Sequence, residues 1–142
     1  FGTNDLKEYN VGDYSSLDAF NRRLMEIIDL AYKNKVNVVL CTPLAQPYYH
    51  NGVLIERLGA YAEAIRRVGQ YKHVAVVDLE KATREWLSSM TEEEAAEYYV
   101  TFDVAKGEYQ LNAAGAAKVA SLAKQAILDV DSKKLKRIIK KK

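Results

Sequence analysis

Few residues of this 142-residue chain are of a type that does chemistry on its own. There are two histidines, His50 and His73, and one cysteine, Cys41. His50 sits in the loop-like stretch Pro47-Tyr48-Tyr49-His50-Asn51-Gly52, where it could act as a base if a nucleophile lay beside it. An ordinary loop side chain is the default reading of the same residue. His73 precedes a strand-like run and reads as a surface residue. Cys41 lies inside such a run and reads as an inert core thiol. One cysteine excludes an internal disulfide and a multi-cysteine metal site, and two histidines leave little for a zinc centre. No metal or other cofactor is therefore expected. Ser15, Ser16, Ser88, Ser89, Ser121 and Ser132 fall at caps, helix ends or helix faces. None sits on the sharp strand-to-helix turn that presents a nucleophile.

The elements that must position any chemistry alternate between helix and strand. Ser15-Ser16-Leu17-Asp18 offers caps for a helix to about Asn34, with Leu17, Phe20, Leu24, Ile27, Ile28 and Ala31 at helical spacing. The β-branched run from Val36 to Thr42 stops at Pro43 and reads as a buried strand with both faces covered. Pro43 to Gly52 reads as a loop ending in the turn pair Asn51-Gly52. A helix is predicted from 54 to about 70, weakened by Gly59, then a buried strand at Val74–Leu79 and a helix at about 80–89. Thr91 and Glu94 have the spacing of a capping box. Residues 100–110 read as a loop, and Asn112 caps an alanine-rich helix over about 113–128. Alternating strand and helix with short connections predicts an α/β fold with a parallel sheet flanked by helices. Two strands are too few to bury two helical layers, so part of the sheet is expected to be missing or to come from another chain.

In an open parallel sheet, ligands bind beyond the carboxyl ends of the strands. Three stretches qualify: Gly2-Thr3-Asn4-Asp5, Thr42-Pro43-Leu44-Ala45-Gln46, and Asp78. Each also has a structural reading, respectively a turn or cap, a strand stop, and the N-cap of the next helix. Ten tyrosines are many for this length. Most read as half-buried packing residues, but Tyr48 and Tyr49 lie in the loop nearest the expected site, where a ring could stack on a sugar.

The net charge of +2 hides an asymmetry. Residues 133–142 carry seven basic side chains and no acid, leaving the first 132 residues with 14 basic and 19 acidic ones. The chain therefore divides into an α/β domain over 1–129 and a basic tail over 130–142. Val130, Leu135, Ile138 and Ile139 give the tail the apolar positions of a docking helix. A mildly acidic body is not a nucleic-acid-binding composition. No apolar run approaches the roughly 20 residues of a membrane helix. No signal peptide is visible, and the opening Phe1-Gly2-Thr3-Asn4-Asp5 reads as a chain cut from something longer.

The order of these pieces resembles the later part of the SGNH (GDSL-like) hydrolases, and in particular their rhamnogalacturonan acetylesterase-like branch. Gly2-Thr3-Asn4-Asp5 matches that family's Gly-x-Asn-Asp block, and Leu111-Asn112-Ala113-Ala114-Gly115-Ala116 matches the stretch after its catalytic histidine. Thr42-Pro43 and Val77-Asp78-Leu79 are supporting matches, and the resemblance covers residues 1 to about 128. It implies a flavodoxin-like three-layer α/β/α fold, incomplete in this chain, and an extracytoplasmic setting. It also implies ester hydrolysis, often deacetylation of carbohydrate, by a Ser-His-Asp triad. Carried over, Asn4 is an oxyanion donor through its side-chain amide. Gly2, Asp5 and Gln110 are candidate substrate contacts beside it, Tyr48 and Tyr49 join them from the rim loop, and His50 is the remaining candidate base. The sequence departs from the pattern at its centre. No Gly-Asp-Ser occurs, Gly107 stands at the aspartate position, and Gln110 stands at the histidine position. A glutamine is neutral at all pH and cannot act as a general base.

Two functions are consistent with this. The chain is either the C-terminal portion of an SGNH-like carbohydrate esterase, inactive on its own, or a degenerate module that binds carbohydrate or a protein partner. An acetylated carbohydrate is the expected small partner. Self-association, or a chain segment completing the sheet, is the expected macromolecular one.

Overall fold

The computed structural model describes residues 15–103 and 107–130. Gly2, Asn4, Asp5 and the basic tail from 131 onwards lie outside the described residues. The architecture is mixed α/β, with five helices and short strands among the described residues.

Helix α1, Leu17–Lys33, starts where the sequence places it. The Ser16 hydroxyl accepts the Ala19 N–H, and Phe20, Leu24 and Ile28 form the buried stripe. The first strand is shorter than its apolar run: β1 is Val39–Cys41. Leu40 is buried, but Val39 and Cys41 are exposed, which corrects the expectation of two covered faces and of a core thiol. The physical cause is partial cover. Leu40 faces the core built by α1 and the second long helix, and nothing among the described residues buries the opposite face.

The loop after β1 ends in a small hairpin, β2 (Tyr49–His50) with β3 (Val53–Leu54). Asn51 and Gly52 both have positive φ, 51° and 75°, the geometry of a tight hairpin turn whose twist matches the strands. The pairing of Tyr49 with Leu54 takes residue 54 out of the predicted helix. Helix α2 accordingly begins at Gly59 and runs to Lys72. It leads into β4, Ala75–Val77, which pairs in parallel with β1. Asp78 then caps α3, Leu79–Leu87, by accepting the Lys81 N–H. Thr91 and Glu94 form the capping box of α4, Glu92–Ala96, with reciprocal bonds of 3.2 and 2.8 Å.

The predicted loop over 100–110 is instead an antiparallel hairpin, β5 (Tyr99–Asp103) with β6 (Glu108–Leu111). Along β6, Tyr109 and Leu111 are half-buried while Glu108 and Gln110 are exposed, the period-two alternation of a one-faced strand. Asn112 then caps α5, Ala113–Asp129, accepting the Gly115 N–H at 2.9 Å. A Cβ on Gly115 would collide with the Tyr98 carbonyl oxygen, so this glycine lets the first turn of α5 pack on the segment before β5.

Two apolar clusters hold these pieces. One joins α1, α2 and the β1–β4 pair through Phe20, Leu24, Ile28, Leu40, Ile65 and Val68. The other gathers Ala45, Tyr49, Trp86, Leu87 and Ala95, with Tyr98, Phe102 and Leu122 against them. No helix among the described residues is long and apolar enough to cross a membrane.

Candidate functional site

The carboxyl ends of β1 and β4 open onto a loop that the chain holds with unusual care. Thr42, 2% exposed, accepts the Glu80 N–H at 2.8 Å and donates its hydroxyl to Asp78 Oδ1 at 3.1 Å. Three residues on, the Ala45 N–H donates to Thr83 Oγ1 at 2.8 Å. The loop is thus fastened to the first turns of α3 at two points.

Behind it lies a charged lattice. Arg66 of α2 grips Asp78 with Nε at 2.8 Å and Nη2 at 2.9 Å, and Nη2 also donates to Glu80. Glu80 is 2% exposed and receives a second donor, Arg84 Nε, at 2.7 Å. The Asp78 hydrogen bond leads the effects that raise the Arg66 guanidinium above its ordinary range. Burial pushes the Asp78 carboxyl up, but Arg66, the Lys81 N–H and the Thr42 hydroxyl outweigh it, so the group titrates below the usual carboxylate range. Asp78 is therefore a cap and an ion-pair partner. Of its two sequence readings, the geometry supports the structural one.

In front of the loop is a cleft of about 490 Å³. Leu44, Ala45, Pro47 and Leu111 supply its apolar lining. Tyr99, Tyr109, Gln46 and Gln110 supply its polar atoms, and Gly107, with φ of 67°, sits at the β6 end. Burial, helped by neighbouring Tyr49 and Tyr109, pushes the Tyr99 hydroxyl up to about 12, so it stays protonated at neutral pH. The described lining holds amides, phenols and apolar groups, and no carboxylate, imidazole or amine. Such a lining offers hydrogen bonds and ring faces to a neutral polar ligand, the usual composition of a small-molecule cleft.

The sequence candidates distribute unevenly around this cleft. Gln110 lines it, and so does the Leu44–Gln46 stretch after Thr42-Pro43. His50 is exposed on β2, opposite Val53, and does not line this cleft. That position corrects its reading as a base on the same rim. Tyr49 is buried and donates its hydroxyl to the Leu87 carbonyl at 2.8 Å, a packing role that removes it as a sugar contact. Tyr48 is half-buried beneath the Arg57 guanidinium, 4.6 Å from its ring centroid. Gly2, Asn4 and Asp5 lie outside the described residues. Tyr99 was not singled out from the sequence. The signal that could have found it is the β-rich run Tyr98-Tyr99-Val100-Thr101-Phe102, which pairs across to Gln110 and Tyr109.

No protein-family model matches the chain, and neither the curated proteins nor the solved structures give a match.

Proposed function

We propose that this chain is part of an SGNH-like α/β domain that binds neutral carbohydrate in the cleft beyond β1, without a catalytic base of its own in that cleft. The observation that carries the reading is Gln110. It stands where the resemblance expects the catalytic histidine, and it lines the cleft beside Tyr109, Tyr99 and Gln46. An amide there can hold a hydroxyl or an acyl oxygen but cannot take a proton from a nucleophile. Tyrosine rings and amides together suit a sugar, which presents apolar faces and a belt of hydroxyls. Titration with acetylated oligosaccharides in a calorimeter tests it. Binding is expected, weakened in Gln110→Ala by about 1 kcal/mol, roughly fivefold in Kd. Equal affinity of the Gln110→Ala and Tyr109→Ala variants with the parent chain contradicts it.

The second reading is the C-terminal portion of a carbohydrate esterase whose serine and base come from another segment. The observation in its favour is that the cleft lies at the carboxyl end of a parallel strand, where such sites form. A serine-directed fluorophosphonate separates the two. A stoichiometric adduct on the chain joined to the segment that supplies the serine supports the esterase reading, and no adduct on that folded protein supports the binding one.

A further inference from the structure

A second cavity, of about 570 Å³, lies between α3 and α5 and is independent of the cleft. Val76, Trp86 and Leu122 are among its apolar lining residues, and Val130 is part of its wall. Helix α5 is strongly apolar, yet Gly115 is its one buried residue, whereas α1 buries three and α2 six. Val119, Leu122, Ala126, Ile127 and Leu128 all remain half-exposed. An apolar helix with so little cover has a face left to bury.

The chain leaves α5 at this groove. Val130 has φ −65° and ψ 132°, an extended conformation that turns the backbone off the helix axis. Residues 131–142 follow, with Leu135, Ile138 and Ile139 as their apolar side chains. Separations of three and four put these on one face of a helix. Leu135 is five residues past Val130, a reach of up to about 17 Å, and the nine residues of α3 span about 13 Å. The apolar triplet, about 6 Å long as a helix, can therefore reach the length of α3.

We propose that the groove between α3 and α5 is the docking site of residues 131–142 of this same chain, seated through Leu135, Ile138 and Ile139 against Trp86 and Leu122. The groove's charges balance, with Glu85 and Asp129 against Lys81 and Lys118, and Asp78 held by Arg66. The docking is thus apolar in origin.

A spin label tests this in the full chain. Cys41 is the one cysteine, so Cys41→Ser with Lys140→Cys leaves a single thiol for labelling on the tail. The label is expected to broaden the NMR signals of Leu122, Ser89 and the Trp86 indole N–H, which is a single signal because the chain has one tryptophan. Ile27, on the solvent side of α1, is expected to stay sharp. Adding Leu135→Asp and Ile138→Asp is expected to abolish the broadening while the thermal transition stays cooperative. Groove signals that stay sharp with the label in place overturn the proposal. So does broadening seen only between a labelled and an unlabelled copy, which would make the occupant a second molecule, and so does broadening lost at high salt, which would make the contact electrostatic.

Discussion

Glu80 shows how much of this chain's chemistry is spent on holding shape. Its carboxylate is buried and held by Arg66 and Arg84, and its own backbone N–H closes on Thr42. Replacing one partner of such a group leaves the others short of hydrogen bonds. Glu80→Gln is expected to lower unfolding stability by about 2 kcal/mol, less than for a fully buried pair because both arginines are partly exposed. Chemical denaturation checks this. Asp78 sets the pH response. Its folded pKa is depressed, so its contribution is fully present above the unfolded value, about 3.9. That contribution is lost as pH falls through the folded value. Stability is expected to hold from neutral pH down to about 5 and to decline below about 4, more steeply than in an Arg66→Met variant. Thermal melts across that window measure the difference; parallel declines would mean Arg66 is not what depresses Asp78. Of this lattice the sequence shows the Asp78 cap, and not the long-range contacts. Arg66, Asp78 and Thr42 are 12 and 36 positions apart along the chain, and no local pattern joins them.

At the scale of elements, legibility followed locality. Ser16, Thr91 with Glu94, and Asn112 all cap where the sequence places them, because a cap needs only its own first turn. The β5–β6 hairpin departs from the loop expected over 100–110 because its pairing, Phe102 with Tyr109, is a tertiary choice that the β-rich run does not specify alone. Helix α2 starts at Gly59 and not at 54, because Leu54 fits the helical stripe in sequence but pairs with Tyr49 once Asn51-Gly52 turns the chain back. Asn112-Ala113-Ala114-Gly115 has a local physical cause. Asn112 caps the helix, and Gly115 admits the Tyr98 carbonyl. Gly115→Ala is expected to cost about 1–3 kcal/mol through overpacking, and Asn112→Ala about 1 kcal/mol through the lost cap. Equal, small losses in both variants would mean that the first turn of α5 can shift away from residue 98.

At the scale of the whole molecule, the short sheet was legible but its unequal cover was not. The β-branched run from Val36 to Thr42 reads as a doubly covered strand, yet Val36 and Val39 are 55% and 40% exposed. Apolarity states that a strand is to be covered, and it does not state by what. Among the described residues β1 pairs on one side alone, with β4. An uncharged strand edge of this kind favours pairing with another chain. Val39→Lys is expected to shift any concentration-dependent scattering towards the monomer, and unchanged scattering would place self-association elsewhere. The cleft was half legible: the loop after Thr42 and Gln110 were candidates, while Tyr99 was hidden with the hairpin that carries it. The most direct measurement is an NMR titration of the chain with an acetylated oligosaccharide. Saturating shifts at the side-chain amides of Gln46 and Gln110 and at Tyr99, with His50 unmoved, are the expected result. No saturable shift, or shifts centred on His50, would contradict carbohydrate binding in the cleft beyond β1.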